Sequence, residues 1–144
     1  MNRVQKIAWS FVVTISVAFL LSCIAIAILY FKVGMPKALA GLGFMGIAGL
    51  GGFSPLIFQT ENGKVTLDER DRLINRRAAL AGFGTSYLLV GLVCMIPFFI
   101  LGPKASISVI WLPYIFGGAG LSMFFVHSVA ILFQYGRTGK GENS

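Results

Sequence analysis

The sequence predicts an all-α membrane protein with four transmembrane helices, both the N- and C-termini cytoplasmic, and helix 3 extended into the cytoplasm. Three observations predict it. The chain is 56% hydrophobic and only 12% charged, where a soluble domain carries about a quarter charged residues. Four charge-free runs, Ile7–Phe31, Ala38–Phe58, Ala78–Pro103 and Ala105–Gly136, each exceed the roughly 20 apolar residues that cross about 30 Å of hydrocarbon. The basic residues fall unevenly between the runs. With the N-terminus inside, nine lie on the inner side (Arg3, Lys6, Lys64, Arg70, Arg72, Arg76, Arg77, Arg137, Lys140) and three outside (Lys32, Lys37, Lys104). Positive charge sets orientation in this sense. The segments between the runs are too short for soluble domains, so residues 1–144 read as one four-helix membrane domain. Its spans are about 7–31, 38–58, 79–101 and 107–135, with a cytoplasmic loop and helix extension at 59–78 and a polar tail at 137–144.

Helix 1 is rich in Leu, Ile, Val and Ala. Its Phe19-Leu20-Leu21-Ser22-Cys23 stretch has the form of a lipoprotein signal, but apolar IAIAILYF follows where such a signal turns polar. An uncleaved first helix is expected. Trp9, Phe58 and Tyr135 fall at inner ends and Tyr30, Trp111 and Tyr114 near outer ends, the depth amphipathic rings prefer. Pro36 suits the first turn of helix 2.

Helix 2 reads ALAGLGFMGIAGLGGFSPLIF. Gly43, Gly46, Gly49 and Gly52 recur every three residues, joined by Gly41 and Gly51. On an α-helix each such step falls about 60° short of a full turn, so the row is expected to wind round the helix and admit more than one neighbour. Small residues let backbones approach where lipid removes the hydrophobic drive. A gating role for this helix is the alternative. Pro55 is expected to kink or end it.

Helix 3 contains Pro97 and stops at Leu101-Gly102-Pro103. Ser106 is a candidate N-cap for helix 4, which carries Pro113 and a Gly117, Gly118, Gly120, Ser122 patch. Gly118 and Ser122 have the small-xxx-small spacing of packed or self-associating helices. Cys23 and Cys94 lie in apolar runs and read as small core residues rather than a disulfide.

Charge gathers before helix 3. Lys64 to Leu80, KVTLDERDRLINRRAAL, holds eight of the seventeen formally charged side chains. Asn62-Gly63 signals a turn, and Thr66 with Glu69 forms a capping box. Asp68, Glu69 and Asp71 then suit the positive end of the helix dipole. Asp68 with Arg72 and Glu69 with Arg72 are spaced to pair, at roughly 0.2–0.5 kcal/mol each. Helix 3 is therefore expected to begin near Leu67 in the cytoplasm. Arg76 and Arg77 then fall at the phosphates, and Asp68, Glu69, Arg70, Asp71, Arg72, Arg76 and Arg77 form a candidate interaction surface. The plainer reading of these residues is a solvated extension and topology anchor.

The string Asp68-Glu69-Arg70-Asp71, with Ile74 and then Ala78, resembles the signature of uncharacterised small prokaryotic four-helix membrane proteins grouped as a domain of unknown function. There a D-E-R-D-x-x-I motif precedes a membrane helix. The resemblance implies a bacterial or archaeal inner-membrane protein, with regulation or stress response as its setting. It implies no catalytic residue.

The four spans hold no Asp, Glu, Lys or Arg, which ion-coupled carriers generally need. His127 in helix 4 is the exception among ionisable groups with a near-neutral pKa. It stands roughly 12 Å from the inner end. Tyr87, Thr14 and Ser54 fall at comparable levels, so a polar layer is expected in which His127 bonds Tyr87 or a hydroxyl. Structural support for the bundle is the plainer role for His127; pH sensing is the sharper one. No nucleophile–base set, metal spacing, phosphate loop or carboxylate pair is present. The chain is thus expected to be no enzyme and to hold no cofactor or metal. The expected partners are the bilayer, anionic lipid head groups at the inner face, a cytosolic or membrane protein, and other copies of the chain, but no nucleic acid. Function by protein–protein interaction ranks first. A transport or channel component, with helix 2 lining or gating an oligomeric path, ranks second.

Overall fold

The computed structural model describes residues 3–35, 37–58, 69–102, 104 and 106–138. Among those residues helix is the only regular secondary structure, and four helical segments are long and apolar enough to cross a membrane. The Asn62-Gly63 turn, the Thr66 half of the capping box, Lys64, Asp68, Pro36, Pro103 and most of the polar tail lie outside the described residues. By its internal contacts the chain divides into two compact units, 1–66 and 67–144.

In the first unit, α1 (Arg3–Val33) packs along a 3₁₀ segment (Lys37–Phe53), which one short α-turn, α2 (Ser54–Ile57), continues. α1 passes unbroken through Ser22-Cys23. It ends where Gly34 adopts φ +70° and its N–H donates to the Tyr30 carbonyl at 3.1 Å. Glycine takes this left-handed cap without a Cβ penalty. The seam between the two helices is built of small groups: Ala8, Ile15, Ala18 and Ser22 on α1, Ala38, Gly41, Ala48, Gly51 and Ser54 opposite. A Cβ on Gly41 would stand 2.7 Å from the Ile26 nitrogen, and one on Gly51 2.7 Å from Thr14 Oγ1.

The 3₁₀ geometry corrects the expectation that the glycine row winds round the helix. With about three residues per turn, positions i and i+3 eclipse, so Gly43, Gly46, Gly49 and Gly52 line up along one side. Pro55 marks the change back to an α-turn, in whose first positions its missing N–H costs nothing.

In the second unit, α3 (Glu69–Leu101) packs antiparallel on α4 (Trp111–Thr138). Glu69 and Asp71 occupy the first turn of α3 as expected. The helix runs through Pro97 and stops at Gly102, φ +82°, whose N–H donates to the Phe98 carbonyl at 3.0 Å. α4 starts at Trp111 rather than near Ser106, which corrects the N-cap assignment. Turns closed by Trp111 N–H to Ser108 O and Leu112 N–H to Val109 O, both 3.1 Å, precede it. This start puts Pro113 in the first turn, where backbone N–H groups lack helical partners in any case. Cys23 and Cys94 are free and exposed, not core.

Candidate functional site

The buried face of α3 is Ile74, Ala78 and Gly82, one residue every four. That i, i+4 row lies on one side of an α-helix, and α4 covers it with Ala119, Ser128 and Ile131 buried in turn. The closest approach is at Gly82, where a Cβ would stand 2.7 Å from the Met123 carbonyl oxygen and 3.2 Å from His127 Cβ. An alanine and a glycine four apart, Ala78 and Gly82, are thus the packing signal of this pair. Gly118 faces open space, and the Ser122 hydroxyl turns back to its own helix, donating to Ala119 O at 2.8 Å.

Two polar pairs continue the seam beyond Ile74. His127 Nε2 and Asn75 Oδ1 are 3.0 Å apart. The Tyr135 hydroxyl donates to Asp71 Oδ1. With Asn75 accepting through Oδ1, the Nε2 of His127 carries the proton in this contact. Both pairs join α4 to the charged stretch, so the last turns of α4 run beside it. The charged start of α3 is thus one half of a two-helix element.

The charged stretch has two faces as a result. Asp71, Ile74, Asn75 and Ala78 face α4. Arg72 and Arg76 each stand two residues from a buried position, about 160° round the helix. Arg70, Arg72, Arg76 and Arg77 are all exposed and hold no hydrogen bond or ion pair to a described residue. Leu73 stands between them, 49% exposed. The expected Glu69–Arg72 ion pair does not form. Two exposed ends of long side chains gain too little in water to hold one geometry.

The expected polar layer comes out differently. His127 bonds Asn75, not Tyr87. Tyr87 is 82% exposed, because five residues beyond Gly82 it stands about 140° off the α4 face. In the first unit the Thr14 hydroxyl donates to Ser10 O at 2.9 Å on its own helix. Ser54 is fully buried, and its hydroxyl has no hydrogen-bond partner; Ser22 Oγ is in the same state. Gly43, Gly46, Gly49 and Gly52 meet nothing where a Cβ would stand.

One polar contact escapes sequence reading. Arg3 Nε–H donates to the Phe58 carbonyl at 2.7 Å, and its Nη2 to the Pro55 carbonyl at 3.3 Å. The guanidinium caps the C-terminal end of α2, where unpaired carbonyls concentrate negative partial charge. Arg3 therefore closes the first unit as well as adding positive charge to its terminus.

Among the described residues no three His, Cys, Asp or Glu side chains gather as a metal site would require. No protein-family model matches this chain, and neither a curated protein nor a solved structure matches it.

Proposed function

We propose that the chain is a multi-pass protein of the cytoplasmic (inner) membrane that acts as an accessory or regulatory protein, with the charged helix 66–77 as its docking surface for a protein partner. One observation carries the reading: Arg70, Arg72, Arg76 and Arg77 are exposed and hold no hydrogen bond or ion pair to a described residue, with Arg72 and Arg76 about 160° round the helix from the buried Ile74. A guanidinium offers up to five donors in a planar fork that matches a carboxylate or phosphate, so an acidic partner surface is the natural complement. In this reading both termini and the charged stretch are cytoplasmic, as the distribution of basic residues favours. Arg76 and Arg77 lie nearest the bilayer and meet anionic head groups. The chain works without a cofactor, catalyses no reaction and binds no nucleic acid. The resemblance of Asp68 to Ile74 to the prokaryotic membrane-protein signature supports the setting.

The test is crosslink-assisted purification from native membranes, comparing wild type with the Glu69→Ala/Arg70→Ala/Arg72→Ala variant. These three residues are distant from the Asp71–Tyr135 and Asn75–His127 contacts in role, and Arg76 and Arg77 are kept to preserve orientation. Loss of a specific partner is expected. An identical set of partners in both preparations refutes the docking role.

A second reading has its own observation, the open glycine row of the 3₁₀ segment. It makes the chain a transport or channel component in which that row lines or gates a path through an oligomer. Solute flux through vesicles holding only the purified protein, reduced by Gly46→Val, supports it; no flux argues for the docking role alone.

A further inference from the structure

A run of 17 residues in 3₁₀ geometry, Lys37–Phe53, stands far outside the usual three or four. Its hydrogen bonds are poorer than those of an α-helix, so a local contact must hold it. Two contacts do so, Gly41 against Ile26 and Gly51 against Thr14 and Phe11. Thr14 and Phe11, which flank Gly51, lie about 18 Å and about 22 Å from Ile26 along α1, at 1.5 Å per residue. Gly41 and Gly51 are separated by about 20 Å in 3₁₀ form at 2.0 Å per residue, but by only about 15 Å in α form. The 3₁₀ separation falls between the two values along α1, and the α separation falls short of both.

Span length points the same way. The 3₁₀ segment with α2 extends about 40 Å, against about 30 Å of hydrocarbon. The same residues wound as α-helix extend about 32 Å. The long form is thus overlong for an ordinary bilayer, and the short form fits one.

We propose that Lys37–Ile57 is a two-state span: a long 3₁₀ form latched to α1 by Gly41 and Gly51, and a short α form about 8 Å shorter, with bilayer thickness biasing the choice. Thick bilayers favour the long form, and thin ones release the latch, because mismatch between span and hydrocarbon costs free energy with each ångström. Conversion moves Pro55 and Phe58, the carbonyls that Arg3 holds, relative to α1. It also winds the glycine row off its single side, since each residue turns about 100° in place of about 120°. The device does not depend on the docking role.

The experiment is a pulsed electron–electron distance measurement on the full chain in vesicles. Spin labels are attached through Lys37→Cys and Ile57→Cys, both exposed positions, in a Cys23→Ser/Cys94→Ser background. The long form places the backbone positions about 38 Å apart and the short form about 30 Å. Phosphatidylcholine with long (twenty-two-carbon) chains is expected to give the long distance, and with short (fourteen-carbon) chains the short one. The same distribution in both vesicles overturns the proposal. A second variant, Gly43→Ala/Gly46→Ala/Gly49→Ala/Gly52→Ala, adds methyls only where space is open and raises α-helix propensity at each site. It is expected to show the short distance even in thick vesicles, and retention of the long distance there also overturns the proposal.

Discussion

Gly82→Ala tests the packing of α3 on α4 through one methyl group. The added Cβ would stand 2.7 Å from the Met123 carbonyl oxygen, with His127 Cβ at 3.2 Å and His127 N at 3.4 Å. Two of these three atoms are backbone, so relief requires moving a helix rather than rotating a side chain. Overpacking of this kind costs about 1–3 kcal/mol, against a gain of up to about 1 kcal/mol from replacing glycine in a helix. Gly84, two residues on, meets nothing within 4 Å. Gly84→Ala therefore keeps the propensity gain and pays no contact cost. The two variants should differ by about 2 kcal/mol, a factor of about 30 in the unfolding equilibrium. Steric-trap unfolding in bicelles, with tags on α3 and α4, measures that difference on the full chain. Equal stabilities for Gly82→Ala and Gly84→Ala would refute the register in which Gly82 faces Met123.

A double-mutant cycle on Asn75→Ala and His127→Ala should return a coupling of about 0.6 kcal/mol, and below about 2 kcal/mol, as for other hydrogen bonds between membrane helices. The control cycle on Tyr87→Phe and His127→Ala should return none. Arg3→Ala leaves the Pro55 and Phe58 carbonyls without their cap and should destabilise the first unit by about 1 kcal/mol, read as faster amide exchange in the last turn of α2. Ser54→Ala removes a buried hydroxyl that has no partner, so stability should hold or rise slightly; a loss above about 1 kcal/mol in thermal unfolding would show that the hydroxyl is bonded after all.

The four apolar spans were legible because long charge-free runs stand out in composition, and the end of α3 was legible because Gly102 is a terminus residue with plain local chemistry. The conformation of the second span was written in the same glycine row but read with the wrong period. A spacing of three is off-register for an α-helix and in register for a 3₁₀ helix. Packing glycines were harder to choose. Gly41 and Gly51 touch α1 while their neighbours do not, and only the facing helix decides which glycines are covered. The Ala78 and Gly82 pair carried a usable signal, small residues four apart in line with Ile74. The partner of His127 was not legible, since two helices joined through a loop can pair in several registers. Asn75 and Asp71 lie in a stretch whose charge draws attention to solvent, yet they face α4. Arg3 reads as an orientation signal, and its second role as a cap depends on the chain returning to it 55 residues later.

Where the charged stretch lies is the premise of the docking role. It is tested most directly by single cysteines placed at Arg70, at Asn2 in the N-terminal stretch, at Lys104 and at Asn143 in the tail, in a Cys23→Ser/Cys94→Ser background, and probed in intact cells with a membrane-impermeant maleimide. The account predicts labelling at Lys104 alone until the membrane is opened, when the other three sites react. Labelling at Arg70 in intact cells would contradict it, because the exposed arginines would then face away from the cytoplasm and from any partner there.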